Sequence, residues 1–587
     1  MKRQEQLWQN VCKTVLLGAL FLFWAQAAAR AQNPWKVTSL ADNNAAGTLR
    51  AILNDPRLAN GDTISFDSTV GSGTITLVLG QLPDINKTLT ITGPGATNMS
   101  IVNPSGRVFH IVGAQIWVTI QELRLSGQLV GAPGADGQDA QHPNGADGGL
   151  PVEGGAILDE CSGTLVLLDC IMDGCRAVGG KGGNAYVPQT EGVAVQGTGG
   201  NGGVASGGAI AQLQGDLIVS NCTFFSNYAI GGNGGKGHDG GAGGAGGEAD
   251  GGAIQCQYAD AHFFFINSTV YANQAMGGLG GQGGDGWSAG SGPANNGGNG
   301  GGGGNALGGG VYLLQGCENI GCTHGIDSCT IYENICYVGT GGAGGVGDTV
   351  NGGSNGIKGA DGTAYGCGLY YTGTGYLKIG NTIIAGDYAT SGALVHGVDV
   401  YNVMGVGKHA ILSQGWNFIG ISDESSGWIA PPDMLGFALP AGTPLDPHLG
   451  RLLYNGGPTP TLAPLPCSPV IDAGKDIWGN KIDQAYQPRP AKPKGISNGG
   501  DWSDIGAFEL QSFPPRPALA FSQPLAGFIT IGWTTNYGTC YDLQTNSILA
   551  PVGWGNWTGA VGVASGQYQV TVPWPPPANL FYRLLLQ

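Results

Sequence analysis

The sequence predicts an all-β protein: a right-handed parallel β-helix, a single-stranded solenoid with glycine-rich loop inserts, followed by a small C-terminal β-sandwich. Three observations predict it. A Gly-Gly-Ala-Ile phrase recurs at 154–157, 207–210 and 251–254 and, in varied form, at 308–311 and 366–369. Each copy is followed by a short alternating apolar run broken by a polar bend, as in Leu217–Phe224 and Phe263–Val270, the pattern of half-buried short strands. Glycine supplies 112 of 587 residues, far above an ordinary share of about 7%.

The elements follow in order. Residues 1–31 read as a secretory signal peptide, with basic Lys2, Arg3 and Lys13, an apolar run Val15–Trp24 and an Ala29-Arg30-Ala31 cleavage site. Residues 32–126 read as a cap and the first coils. Thr48–Asn54 is a short amphipathic helix, expected because an open solenoid end is an unpaired template. Strand phrases follow at 63–66, 75–79, 89–91, 101–102, 108–112 and 118–125.

Residues 127–451 hold the repeats, whose first glycines at 154, 207, 251, 308 and 366 lie 44 to 58 residues apart. The bend slot reads Asp169, Asn221, Asn267, Ser328, Asn381, residues that tolerate left-handed backbone and can form an axial ladder. The next slot reads Cys170, Cys222, Ser268, Cys329, Thr382, which predicts stacked small side chains rather than disulfides. The inserts 179–203, 231–250, 277–309 and 339–366 absorb the length differences at small entropic cost. They keep the collagen period only locally. The phrases ending in Asp239 and Asp285 match calcium β-roll turns singly, not in tandem. The expectation is a set of flexible, polyglycine-like loops on one face.

Charge narrows the function. A net charge of −16 with 24 basic residues in the chain disfavours nucleic acid, and no later stretch reaches a transmembrane length. Of 13 cysteines, Cys12 leaves with the signal; Cys317, Cys322 and Cys336 are candidate partners in one repeat, with pairing unreadable from spacing.

Val37–Asp42 with Gly47–Ile52 and Asp62–Phe66 resembles the opening of exported bacterial β-helix proteins, pectate-lyase-like in fold and including polymorphic outer-membrane-protein-like surface proteins. Asn455–Leu462, Cys467–Gly474, Asp483-Gln484 with Pro488–Pro490, and Asp504–Glu509 resemble a choice-of-anchor Q domain over 452–512, departing from it in an insertion around Lys492–Gly500. The unit 513–587, ending Phe581-Tyr582-Arg583-Leu584, resembles verrucomicrobial-type sorting or attachment domains. The resemblance implies surface display and no particular reaction.

Catalytic residues are not assigned. Asp159, Glu160, Asp169 and Asp173 share a repeat, but Arg124, Arg176, Lys181 and Lys378 occupy no equivalent slots, and His262 and His324 are isolated. Asp472, Asp483, Asp504 and Glu509 form the best acidic group, either calcium ligands or a hydrogen-bonded cap paired with Arg489. The chain therefore reads as a secreted or cell-surface protein with a binding, adhesion or structural role, monomeric, without cofactor unless calcium binds. An extracellular glycan or a cell-surface or matrix component is the expected partner. The alternative is a carbohydrate-active enzyme, a polysaccharide lyase or glycosidase.

Overall fold

The computed structural model describes residues 35–586 apart from 189–194, 258–261, 287–294, 315–323, 374–375, 391–393, 403–410, 429–431, 439–441, 492–499, 514–515, 535–539, 548, 550–552 and 577–579. The expected signal peptide, Cys317 and Cys322 lie outside these residues.

The chain is all-β, with long sheets of stacked parallel strands. In each repeat it passes a seven-stranded sheet, a ten-stranded sheet and the two branches of a 15-stranded sheet, runs out through a glycine insert, and returns through a six-stranded sheet. Like residues meet in neighbouring coils. Ile157, Ile210, Ile254, Val311, Leu369 and Val400 pair in one column. Leu167, Val219, Phe265, Ile326 and Ile379 pair in another. Both columns point inward and are fully buried in one apolar core. The helix Leu49–Leu53 is capped by Thr48, whose side chain accepts from Ala51 N. Its Arg50 is buried, 2.6 Å from Asp42 and donating also to the carbonyls of Gly80 and Gln81.

The predicted polar corner is left-handed. Asp169, Asn221, Asn267, Ser328 and Asn381 have φ between 45° and 54°, as their residue types foretell. The cysteine slot stacks: Cys170 N donates to Cys222 Sγ and Cys222 N to Ser268 Oγ, and Cys170, Cys222 and Cys329 are free, buried thiols. The asparagine ladder, however, forms one turn later than predicted. Asn227, Asn273 and Asn334 each take the amide of the residue one coil back, at 3.0 Å, and the series ends in Asp387 and Asp399. The side chains in the predicted slot keep an axial bond, Asn381 Nδ2 to Ser328 Oγ at 3.2 Å, but turn mainly outward, onto residues 459–507. Asn267 Nδ2 donates to Ile482 O, Asn381 Nδ2 to Asp504 O, and Tyr486 Oη to Asp169. That segment is a strap running back along the coils: Lys475 meets Asn381, Asn480 meets Asp327, and Gln484 meets Thr269 and Thr223.

Where the chain leaves and re-enters the body, two strands per coil face each other through Ala177, Ala229 and Ala275 on one side and Ala205, Ala249, Ala306 and Ala364 on the other. This narrow neck explains the repeated glycine pair. Gly207 has φ +63°, and a Cβ on Gly208 would lie 2.6 Å from the backbone of Tyr228 across the neck.

The inserts beyond the neck are not flexible loops. Gly231, Gly234 and Gly237 donate to Met276, Leu279 and Gln282 of the next insert, and Gly277, Gly280, Gly283 and Gly286 to Tyr337, Thr340, Ala343 and Val346. Partners advance by three residues along extended, non-strand backbone, the three-residue turn of a polyproline II helix. Returning legs bond the outgoing ones as well: Gly244 donates to Gly235 and Gly247 to Gly232. The result is a two-layer fin of side-by-side helices. Glycine at two of three positions permits it, since a Cβ on Gly244 would sit 1.9 Å from Gly200 O. The third position faces solvent, where Asn or Asp caps a neighbouring amide: Asp147 takes Asn201 N, and Asn201 takes Ala245 N.

The last unit has two antiparallel sheets of four and three strands over a core of Ile529, Ile531, Trp533, Leu543, Val570 and Val572, as its alternating phrases predict. A Cys467–Cys540 disulfide, not legible beforehand, ties it to the strap segment.

Candidate ligand-binding groove

Outward positions of the six- and seven-stranded sheets lie on either side of the glycine-pair corner. Their side chains touch across it: Tyr365 packs edge-on against Tyr370 at 6.1 Å. The two surfaces thus face each other along the coil axis as a candidate groove, one row running from Glu153 through Ser206 and Asp250 to Tyr365 and His396. The other runs from His110 through Leu158 and Gln255 to Tyr312, Tyr370 and Tyr401.

At one end His110 is held between two carboxylates, Nδ1 3.0 Å from Asp84 and Nε2 2.9 Å from Glu160. Arg107 beside it donates to the carbonyls of Glu153 and Gly154 and to Gln81. Burial, then the nearby Glu160, holds the Glu153 carboxyl above its usual range, with Arg107 opposing. Sequence reasoning missed this group. Asp84 and Glu160 lie 26 and 50 residues from His110, and the pairings of Ile85 with Ile111 and of Leu158 with His110 bring them together. At the other end Tyr312, Tyr370 and Tyr401 stack with centroids 5.0 and 5.6 Å apart, and Tyr365 stacks on His396 at 5.0 Å. Desolvation pushes the Tyr370 hydroxyl up to about 12. His396 is 2.7 Å from Glu424. One end offers charged hydrogen-bonding groups, the other aromatic surface with phenol hydroxyls, a combination suited to a polyhydroxylated polymer.

The residues singled out from sequence are scattered. Glu160 belongs to the groove. Asp159 is buried behind it, accepting from Cys161 N, and desolvation raises its carboxyl to about 7. Arg124 grips Asp173 through Nε and Nη2 at 2.6 and 2.5 Å, and Arg176 lies over the Tyr228 ring. Lys181 is exposed at the fin, Lys378 is on the ten-stranded sheet, and His262 contacts Asp216 and stacks on Phe264. His324 begins a strand of the ten-stranded sheet. None converge.

Asp472, Asp483, Asp504 and Glu509 do come together, as a cap. Asp504 accepts Asp472 N and Leu510 N, Glu509 accepts Ala491 N and Asp504 N, and Asp483 accepts Gln487 N and Glu509 N. Buried Arg489 lies 3.3 Å from Glu509. Backbone amides thus take up the oxygens of Asp483, Asp504 and Glu509 that a calcium ion would need. Asp239 and Asp285 in the fin likewise accept Val195 N and Val346 N. Among the described residues no three or more His, Cys, Asp or Glu side chains are placed to share a metal. An apolar cleft of about 480 Å³ in the C-terminal unit is walled by Trp554, Trp574 and Tyr582.

No protein-family model, curated protein or solved structure matches this chain.

Proposed function

We propose that this is a secreted or cell-surface binding protein: a right-handed, pectate-lyase-like β-helix that holds an extracellular polymer, foremost a glycan, along its groove. The observation behind this reading is the register of the two outward rows, which makes the groove a continuous track rather than one convergent centre. Coils rise by about 4.8 Å, close to the length of one pyranose unit and unlike the roughly 3.3 Å per residue of an extended peptide. The strap, with its choice-of-anchor Q character, and the disulfide-linked C-terminal unit would serve attachment.

A glycan array with the purified full chain tests it. Binding that falls in a Tyr370→Ala, Tyr401→Ala double variant supports the reading; no binding to any glycan overturns it. The second reading, a glycan-cleaving enzyme, rests on the Glu153–Glu160–His110 group, two carboxyls in unequal surroundings. New reducing or unsaturated ends from a polysaccharide panel, lost in Glu160→Gln, would favour it.

A further inference from the structure

The middle of the groove holds a set of oxygen acceptors for which the chain supplies too few donors. Glu248 and Asp250 leave the fin two residues apart, so both face outward while Ala249 enters the neck. Asp250 is 8% exposed; its Oδ2 takes a 3.3 Å bond from Ser206 Oγ, and its Oδ1 has no donor. Glu248 Oε2 accepts from Asn305 Nδ2 at 3.0 Å. Gln255 holds, relative to Asp250, the register position that Tyr370 holds relative to Tyr365 two coils on, where the two side chains meet across the corner. It is 2% exposed; its amide nitrogen is spent on Gln257, and its Oε1 is also without a donor. Leaving buried acceptors bare is costly, and more so where charge is involved. A bound cation removes that cost for all of them together.

We propose that Glu248, Asp250 and Gln255, with the Ser206 hydroxyl, hold one calcium ion at the corner between neck and body. The donors are all oxygen, two anionic and two neutral, without nitrogen or sulfur, which suits a hard cation. Their irregular origin, from the fin exit and two sheets, suits calcium's flexible coordination better than magnesium's strict octahedron. The competing occupant is a proton: with no cation, burial and the Glu248 charge drive the Asp250 carboxyl upward. This inference is independent of the glycan reading.

The test is calorimetric titration of the chelator-treated full chain with calcium chloride, with terbium luminescence excited through the neighbouring Tyr312. One site is expected in the wild-type chain. Asp250→Asn and Glu248→Gln should each weaken it by roughly tenfold or more, since even outer-shell partners carry 10–100-fold. Asp285→Asn, at the fin tip, should leave it unchanged. Circular dichroism without calcium verifies that the variants fold. No binding at millimolar calcium, or equal binding by wild type and both groove variants, overturns the proposal.

Discussion

The body and the fin are built from one chain by opposite means. The body buries side chains: Phe224, Phe265 and Ile331 fill its interior, and its stability scales with apolar surface. The fin buries backbone. Its helices have almost no side chains to pack and are held by main-chain hydrogen bonds repeated at every third residue, with asparagine and aspartate closing the outer amides. The difference teaches that a glycine-rich stretch need not be loose. It orders when neighbouring copies lie close enough to satisfy each other's amides, and the stacked parallel strands bring them to that spacing.

Four experiments would break or sharpen this contrast. Phe224→Ala should cost about 3–5 kcal/mol, read as a shift in the denaturation midpoint. Its effect should spread through the body. Gly244→Ala should cost about 1–3 kcal/mol by forcing neighbouring backbones apart. Here amide exchange should quicken in the fin while the body stays protected; equal loss in both would mean that they unfold as one unit. A smaller effect concerns the pair ending the asparagine ladder. Burial lifts Asp399 to about 7, against the hydrogen bonds it accepts, and burial with the charge of Asp399 raises Asp387 well above the ordinary 3.8. The stability they contribute is complete below about pH 4 and is lost as pH climbs through 7. Thermal midpoints should therefore be higher at pH 5 than at pH 8. Asp387→Asn, which keeps the acceptor that Asn334 uses, should flatten that slope; an unchanged slope would remove the assignment. Smallest of all, Asn201→Ala in the fin's outer row should cost about 0.5–1 kcal/mol, visible as faster exchange at Ala245.

The body was legible because alternation at Leu217 and Val219 reports burial directly, and because Asn221 and Asn267 announce left-handed corners. The ladder was misplaced by one turn since Asn221 and Asn227 occur in similar short bends. Which points inward depends on the strap, more than 200 residues away in sequence, covering one side. The fin was missed for a related reason. Glycine content speaks of conformational freedom, whereas the ordering comes from other coils; recurring Asn184, Asn201 and Asn299 in the third position were the overlooked sign. The groove was illegible because coils before residue 127 carry no insert, so Asp84, His110 and Glu160 align only once the register is known. The acidic cap was readable as residues and not as chemistry, because the amides that fill Asp504 and Glu509 come from backbone.

The three-residue step of the fin sets a rule for how such a chain can change. A gain or loss of three residues in one leg moves every contact to an equivalent neighbour and leaves the lattice intact. A change of one or two would set side chains where only hydrogen atoms fit. Each leg should therefore lengthen or shorten in triplets, with any remainder falling at the turn between legs, so the reach of the fin is a quantity that mutation can tune in discrete notches.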